Sequence, residues 1–179
     1  MLQGKQVYLR LISSEDVSEE YVKWMNDYEV TRYTESKYIQ FSRANLIEYV
    51  NRVNDESNYM FAVFANESEK HIGNIKLGNI NWIHRYGDVG LIIGDKEYYG
   101  KGIATESISL VSEFAFNHLN LHKIWCGIYK NNVGSIRAFE KSGYEVYATE
   151  KSKYFFEGRY VDAVYMHKFN QNIGIEVDD

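Results

Sequence analysis

The chain has 179 residues, of which 45% are apolar and 25% are charged, and its formal net charge at pH 7 is −5. This composition is typical of a globular protein and excludes a disordered or a fibrous class. The net negative charge without a basic run argues against a nucleic-acid partner, and the lack of an apolar run of about 20 residues argues against a membrane span.

The length predicts one domain, which we place at residues 1–170, followed by a polar tail at 171–179. No charged and then apolar leader precedes the first strand, so we expect the mature chain to begin near Met1 and to be cytoplasmic. Cys126 is the single cysteine, so it cannot form an internal disulfide, and it shares a strand face with two isoleucines. This pattern favours a buried structural thiol over a nucleophile.

One strand and two helices are predicted in the first third of the chain. Apolar residues alternate over residues 6–12, which indicates a strand. Ser13 and the acidic residues behind it predict the start of a first helix, and Ser42 predicts the start of a second. Between these helices lies an aromatic segment with no periodicity, which either lines a site or caps the core. Its candidate substrate contacts are Tyr28, Tyr33 and Tyr38.

Strand and helix patterns alternate in the rest of the chain. A hairpin and a third strand lead to a glycine turn, and a long amphipathic helix follows that turn. A strand, a short helix and two more strands complete the domain. Strands joined across helices predict partly parallel pairing in an otherwise antiparallel sheet. The predicted strands of this part are 59–65, 71–80, 88–93, 123–129, 144–149 and 160–166.

The turn at Gly100 and Gly102 stands between an apolar strand and the long helix. Glycine adopts positive φ without strain, and the first N–H groups of a helix are free to bind an anion, so this turn is a candidate phosphate cradle. A dinucleotide-binding loop would need a third small residue at Thr105, and a Walker loop would end in Gly-Lys-Ser or Gly-Lys-Thr. The sequence matches neither motif. On physical grounds alone, the two glycines could equally mark an ordinary helix start.

Residues 98–106 (YYGKGIATE) together with residues 132–144 (NVGSIRAFEKSGY) resemble the GNAT superfamily of acetyl-CoA-dependent N-acetyltransferases. The resemblance covers about the whole length, and its branch is similar to the ribosomal-protein alanine and spermidine acetyltransferases. It implies a mixed α/β fold, with a mostly antiparallel, twisted sheet of about seven strands flanked by about four helices. It also implies acetyl-CoA as the acetyl donor and direct attack by an amine, without a covalent enzyme intermediate.

The resemblance also assigns cofactor contacts, with two departures from the family pattern. Gly102 and Ala104 match the two small residues of the pyrophosphate loop, whereas Tyr99 stands where glutamine or arginine is usual. Phe139 stands where many members carry a tyrosine that protonates the leaving thiolate. An N–H of the strand at 91–93 is the implied oxyanion donor. The implied acetyl-CoA contacts are Leu91, Ile92, Ile93, Tyr99, Gly100, Lys101, Gly102, Ile103, Ala104, Thr105, Asn132, Ser135 and Phe139.

Proton transfer can be judged from ordinary pKa values. A thiol with a pKa of about 8.5 lies about 1.5 units above neutrality, or about 2 kcal/mol, so a thiolate can leave without a dedicated acid. An alkyl ammonium with a pKa of about 10.4 lies about 3.4 units away, or about 4.6 kcal/mol, so its deprotonation needs more help. Asp88 is the candidate base, with an ordinary strand-end carboxylate paired with Arg85 as the alternative. His84 is the second candidate, with a turn histidine packed on tyrosines as its alternative.

The acceptor is predicted to be a primary amine of a small molecule. Residues 24–30 (WMNDYEV) are similar to enzymes that acetylate nucleotide-linked amino sugars, and this acceptor is narrowly favoured. The net negative charge supports a polyamine instead, as do residues 81–85, 119–124 and 156–160, which are similar to segments of the spermidine enzymes. A peptide or protein N-terminus stays open as a third acceptor.

A non-catalytic acyl-CoA-binding module is the competing class, because Tyr99 and Phe139 depart from the pattern of the active members. The sequence does not give the oligomeric state, although relatives often dimerise and the resemblance allows a homodimer. The histidines show no metal-ligand spacing with one another or with Cys126, and no metal site is predicted. Glu106 and Glu113 are interpreted as a solvated helix face.

Overall fold

The computed structural model describes residues 1–171 and folds them into one sheet with helices on both faces. The predicted polar tail lies outside the described residues from residue 172 onward. The strands of the described part are β1 Leu2–Gln3, β2 Val7–Leu11, β3 Tyr59–Ala65, β4 His71–Asn81, β5 Tyr86–Ile93, β6 Lys123–Tyr129, β7 Glu145–Phe156 and β8 Arg159–Phe169. Its α-helices are α1 Glu19–Asn26, α2 Tyr28–Thr31, α3 Arg43–Val53, α4 Ile103–Asn117 and α5 Val133–Lys141.

The strands lie in the order β1-β2-β3-β4-β5-β6-β8-β7, and β5 with β6 is the parallel pair among antiparallel neighbours. The predicted partly parallel pairing is therefore confirmed for the connection through α4. The connection through α5 gives no second parallel pair, because β8 lies between β6 and β7. A tight turn at Gly158, where φ is 82°, joins β7 to β8.

Helices cover both faces of the sheet and divide the core in two. The amphipathic pattern of α4 buries Ile108, Val111 and Ala115 against one face. On the opposite face, α1 and α3 bury their apolar residues, including Trp24 and Leu46. In β5 the side chains alternate between these faces, with Val89 in the core under α4 and Ile92 packed against the core under α1 and α3.

The mixed α/β fold class is confirmed, and the element counts differ from the sequence prediction at identifiable places. The strand β1 has two residues, too few for a periodic signal, and α2 is a single turn inside the aromatic segment. Ser13 caps a 3₁₀ turn, whereas α1 starts later, with Ser18 accepting a hydrogen bond from the N–H of Tyr21. The strands β7 and β8 are each longer than predicted. In β7, bulges interrupt the alternation on which the prediction depends.

Candidate functional site

The parallel strands β5 and β6 separate after three residue pairs, and the last of these pairs is Asp88 with Trp125. Beyond it the facing edges of the two strands are unpaired, and a cavity of about 650 Å³ opens between them. Two glycines, Gly90 and Gly127, occupy equivalent positions two residues beyond that pair. Because neither carries a side chain, the mouth of the gap stays open on the face of the sheet that α1 and α3 cover.

The glycine turn lies at one end of this cavity. Gly100 and Gly102 have φ values of 73° and 84°, in the left-handed region that glycine adopts at little cost. Gly102 is the N-cap of α4, so the first N–H groups of that 15-residue helix have no helical acceptors and face the cavity lined by Ile103, Ala104 and Thr105. This arrangement fits a pyrophosphate, which the free N–H groups and the helix dipole would both stabilise.

The cavity collects nearly all of the predicted acetyl-CoA contacts. Lys101 is the exception, since its ammonium lies 5.5 Å from the ring centre of Tyr98, outside the lining. Arg137 and Lys141 of α5 also line the cavity and add positive charge beside it. The predicted contacts that line it are Leu91, Ile92, Ile93, Tyr99, Gly100, Gly102, Ile103, Ala104, Thr105, Asn132, Ser135 and Phe139.

Glu106 holds the N-terminal segment against the glycine turn. Its carboxylate accepts hydrogen bonds from the backbone N–H groups of Lys5 and Gln6, the latter at 3.1 and 3.2 Å. The interpretation of Glu106 as part of a solvated face was therefore wrong, because residues 100 positions away in the chain supply its donors. The side-chain amide of Gln6 in turn lies next to Gly102.

Phe139 and Cys126 form the apolar wall of the cavity. Phe139 is 2% exposed and packs edge-on against Tyr144 at 4.9 Å between ring centres. The hydroxyl of Tyr144 is hydrogen-bonded to Ser112 inside the core, so it offers no substitute for the hydroxyl that Phe139 lacks. Burial raises the pKa of the Cys126 thiol to about 12. The thiol is protonated at neutral pH, in agreement with a structural role.

An aromatic cluster forms the opposite wall, on the face covered by α1 and α2. Tyr129 stacks on Tyr154 at 4.1 Å, and Tyr33 stacks on Phe156 at 5.1 Å with a 6° angle between the ring planes. Tyr33 and Tyr129 also contact each other, with ring centres 5.8 Å apart. These rings join the segment after α2 to the ends of β6 and β7.

Among the charged residues beside the aromatic cluster, Arg32 forms two ion pairs, whereas Lys37 and Glu35 form none within residues 1–171. Arg32 bonds Glu29 at 3.1 Å and Glu157 at 3.0 Å. The ammonium of Lys37 donates to the hydroxyl of Tyr129 and lies 4.8 Å from the centre of its ring. Glu35 lines the cavity together with Glu29, and its charge adds to the effect of burial in raising the pKa of Tyr129. A carboxylate therefore faces the aromatic wall.

The three predicted substrate tyrosines are not brought together. Tyr33 lines the cavity, and its hydroxyl donates to the carbonyl oxygen of Asn131 at 3.3 Å. Tyr28 lies outside the lining and donates to Glu157, and Tyr38 is 70% exposed beside Lys37. Their spacing along α2 and the following 3₁₀ turn directs them to different sides.

The two predicted bases also lie outside the cavity lining. The carboxylate of Asp88 accepts a hydrogen bond of 2.7 Å from the side-chain amide of Asn79, which stands at a bulge in β4. Within residues 1–171 it forms no ion pair with Arg85. His84 lies in the turn before β5, and its ring is parallel to that of Tyr86 at 6.4 Å. Both residues come before the point where β5 separates from β6, and the cavity opens only beyond that point. Their catalytic roles stay predictions.

Several cavity residues have no clear signal in the sequence. Glu29 and Glu35 lie in the segment that shows no periodicity, and Gly127 reads as an ordinary strand residue. Tyr154 lies on β7, and it reaches the cavity only because β7 pairs with β8 and β8 pairs with β6. The excess of tyrosine, sixteen residues, was the signal that could have directed attention to aromatic walls.

Comparisons with known proteins agree with this geometry. Residues 6–145 match the family model described as an acetyltransferase (GNAT) domain. The chain is 32% identical over 168 residues to spermidine N(1)-acetyltransferase of Escherichia coli strain K12, which covers 93% of this chain and 87% of that protein.

Two solved structures of spermidine N-acetyltransferase from Vibrio cholerae are also similar. The one in complex with CoA and spermine has a TM-score of 0.82 and 27% identity, and the match covers 93% of this chain and 97% of the other. A dodecameric structure in an intermediate state has a TM-score of 0.76 and 26% identity, with 93% and 95% covered. None of the helices in residues 1–171 is long and apolar enough to cross a membrane.

Proposed function

The chain belongs to the GNAT family of acetyl-CoA-dependent N-acetyltransferases, and we propose that it acetylates a primary amine of a polyamine. As a member of this family it is an acyltransferase that uses acetyl-CoA, and the non-catalytic alternative is set aside. Two observations support the polyamine. The cavity-lining carboxylates Glu29 and Glu35 lie beside aromatic rings, and the relatives named above act on spermidine by name.

Bound acetyl-CoA supplies an activated acetyl group, and the chain's own residues hold and orient it. In the proposed arrangement the N–H groups that follow Gly102 bind the pyrophosphate, and Arg137 and Lys141 offset its charge. The edge of β5 at Leu91–Ile93, left unpaired by the separation from β6, provides hydrogen-bonding groups for the extended arm. An N–H of this edge would stabilise the oxyanion that forms on attack.

The acceptor side favours a cation. Tyr33 and Tyr129 already hold cations of the chain against their rings, Arg32 at 5.2 Å and Lys37 at 4.8 Å, so this aromatic wall suits ammonium groups, which such rings attract by about 0.5–2 kcal/mol each. Glu35 adds a negative charge at the same wall, and a polyamine can place one ammonium there while another nitrogen reaches the thioester.

The nucleotide-linked amino sugar favoured by residues 24–30 is less well supported than the polyamine. Its diphosphate would need cations on the acceptor side, but neither Arg32 nor Lys37 lines the cavity. Arg32 bonds Glu29 and Glu157, and Lys37 donates to the carbonyl oxygen of Arg32 and to Tyr129. The named substrates of the relatives also agree with the polyamine rather than with the amino sugar.

Deprotonation of the acceptor is assigned to Asp88, acting through water. Asp88 stands two residues before Gly90 on the same face of β5, which is about 7 Å at the ordinary rise of a strand. Asn79 fixes the orientation of its carboxylate. A chain of two waters can span such a distance and pass the proton on. We also expect the chain to associate with copies of itself, as the dodecameric relative does.

Initial rates of thiol release from acetyl-CoA test this proposal. The acceptors are spermidine, a monoamine of similar length, a nucleotide-linked 4-amino sugar and a short peptide with a free N-terminus. We expect the highest kcat/KM for spermidine, at least about tenfold above the monoamine, because a second ammonium adds about 1.4 kcal/mol of binding at the acidic, aromatic wall. A higher kcat/KM for the amino sugar or the peptide would overturn the polyamine assignment.

A charge variant links this preference to the cavity. Glu35→Gln removes the carboxylate but keeps its shape, and we expect the KM for spermidine to rise about threefold to fivefold, while the KM for acetyl-CoA is unchanged. Glu48→Gln is the matched control, since Glu48 pairs with Arg52 on the exposed side of α3. Equal KM values for spermidine in both variants would remove Glu35 from the acceptor site.

A further inference from the structure

Five tyrosines line the cavity, and their hydroxyl groups differ in their partners. Tyr33 donates to Asn131, Tyr98 is bonded to Ser68, and Tyr129 accepts from Lys37. In the described part of the chain, the hydroxyls of Tyr99 and Tyr154 have no hydrogen-bond partner, so these two are free to bond a substrate. The lining tyrosines are Tyr33, Tyr98, Tyr99, Tyr129 and Tyr154.

The two free hydroxyls lie at different ends of the cavity. Tyr99 directly precedes Gly100 and therefore stands at the pyrophosphate end. Tyr154 projects from β7 over β6, where its hydroxyl oxygen lies 3.2 Å from the position a Cβ would take on Gly127. Gly127 marks the point where β6 leaves β5. The hydroxyl of Tyr154 is thus at the mouth of the gap, where the strand edge at Leu91–Ile93 becomes free.

The neighbours of Tyr154 hold its hydroxyl in that place. Its ring stacks on Tyr129 at 4.1 Å with the planes 16° apart, so the side chain cannot swing away without losing this contact. The absent side chain at Gly127 provides the space that the hydroxyl fills, because an added Cβ would be in close contact with both Tyr154 and Tyr165. The stacking on Tyr129 and the missing side chain at Gly127 therefore together fix the position of the Tyr154 hydroxyl.

We propose that Tyr154 is the general acid of the reaction and supplies from β7 the hydroxyl that Phe139 lacks on α5. This inference depends on the proposed function, because the step exists only if an amine attacks the thioester. Phe139 forms the apolar wall of the same cavity, so a proton that assists departure of the sulfur comes from another direction. Cys126, the other acidic group on that wall, is almost fully buried.

Each bond and proton of the proposed step can be followed. The amine nitrogen bonds to the carbonyl carbon, and the carbon–sulfur bond then breaks with its electron pair moving to sulfur. Tyr154 transfers its hydroxyl proton to that sulfur, so the free thiol of CoA leaves. The phenolate recovers a proton through water from the nitrogen, which loses one as the amide forms. Burial raises the pKa of Tyr154, so its phenol carries the proton at neutral pH.

The expected size of the effect follows from the leaving group. A thiol pKa of about 8.5 lies about 1.5 units above neutrality, so protonation during departure accelerates the step by at most about thirtyfold. Tyr154→Phe should therefore lower kcat by about tenfold to thirtyfold, with the KM for acetyl-CoA unchanged. Tyr147→Phe is the matched control, since Tyr147 lies on the same strand, is 46% exposed and stacks on His167 away from the cavity.

A second substitution separates a chemical role from a structural one. Phe139→Tyr places a hydroxyl on the opposite wall of the cavity, and we expect it to restore kcat of Tyr154→Phe to within about threefold of the parent. If Tyr154 acted only through packing, a hydroxyl added on α5 would not restore kcat. Binding of acetyl-CoA to each variant, measured by calorimetry, reports whether the cavity has kept its shape.

The outcomes separate this inference from the proposed function. A parent enzyme that acetylates an amine, with kcat unchanged in Tyr154→Phe, overturns the inference and leaves the proposed function intact. A loss of kcat that Phe139→Tyr fails to restore, while acetyl-CoA still binds, also overturns it. A parent enzyme that transfers acetyl to none of the amines overturns both. The loss with its restoration supports Tyr154 as the acid.

Discussion

Gly90 on β5 and Gly127 on β6 stand at equivalent positions, each two residues beyond the last residue pair that joins the two parallel strands. A Cβ on Gly90 would meet no atom within 4 Å, whereas a Cβ on Gly127 would lie 3.2 Å from the hydroxyl oxygen of Tyr154. One glycine therefore keeps the gap open to a ligand, and the other keeps it open to a side chain of the protein. In the proposed reaction the amine and the thioester meet between these two glycines.

The glycine turn gives the first prediction. Alanine at Gly102 would be forced to keep a φ of 84°, which costs about 1–2 kcal/mol or displaces the N–H groups of α4. Gly102→Ala should therefore raise the KM for acetyl-CoA by about tenfold. Gly158→Ala is the control, since Gly158 has a similar φ of 82° in the β7–β8 turn, far from the phosphate end. A similar rise in both variants would contradict the assignment of the turn to phosphate binding.

Asp88 as the base gives the second prediction. Asp88→Asn should lower kcat by about 100-fold or more, with acetyl-CoA binding unchanged, because removal of a general base costs about two to four orders of magnitude. Asp55→Asn is the control, since Asp55 belongs to the same polar region and bonds Ser57 and Asn58. Nearly unchanged turnover of Asp88→Asn would exclude Asp88 and leave Glu35 as the next carboxylate to examine.

The contact between Glu106 and the N-terminal segment gives the third prediction. Glu106→Ala removes the acceptor of two backbone N–H groups and a negative charge from the first turn of α4. We expect the free energy of unfolding to fall by about 1–2 kcal/mol, as measured by chemical denaturation. Glu113→Ala, on the exposed side of the same helix, should change it by less than about 0.5 kcal/mol. Equal losses would restore the interpretation of both as solvated residues.

A fourth prediction concerns pH. His71 packs against Tyr21, Trp24 and Phe64, and this removal from water lowers its pKa below the ordinary value of 6.5. Below about pH 6.5 the unfolded chain therefore binds more protons at this residue than the folded protein does. The free energy of unfolding should fall as the pH decreases from 6.5 toward 5, and should show no effect of His71 above 6.5.

Denaturation at several pH values measures this dependence. His71→Gln should flatten the decline between about pH 5 and 6.5, a window that lies above the range in which carboxylates titrate. His122 is the second histidine with a lowered pKa, owing to burial and the nearby charges of Arg85 and Lys123. A decline that disappears in His122→Gln and persists in His71→Gln would contradict the assignment to His71.

Much of the fold and of the cofactor side could be predicted from the sequence, because the signals there are local. The glycine turn and the amphipathic α4 follow each other directly, so two adjacent patterns locate the turn, and the resemblance to the GNAT superfamily predicts that it binds phosphate. The alternation in β2 and the apolar runs of β3 and β5 likewise predict strands from a few neighbouring residues.

The acceptor side could not be predicted in the same way, because it depends on long-range register. Tyr154 meets Tyr129 only after β7 pairs with β8 and β8 pairs with β6, with a bulge between Glu150 and Tyr154 shifting the register. Glu106 finds its donors 100 residues away. No periodicity in the sequence encodes these contacts.

One competition experiment tests the central claim most directly. The parent enzyme is mixed with limiting acetyl-CoA and equal concentrations of spermidine, a nucleotide-linked 4-amino sugar and a peptide with a free N-terminus, and the acetylated products are measured by mass spectrometry. The product ratio gives the ratio of kcat/KM values, and we predict acetylspermidine as the main product. Acetylation mainly of the amino sugar or the peptide would contradict the polyamine assignment, and release of CoA without any acetylated amine would contradict the acceptor chemistry as a whole.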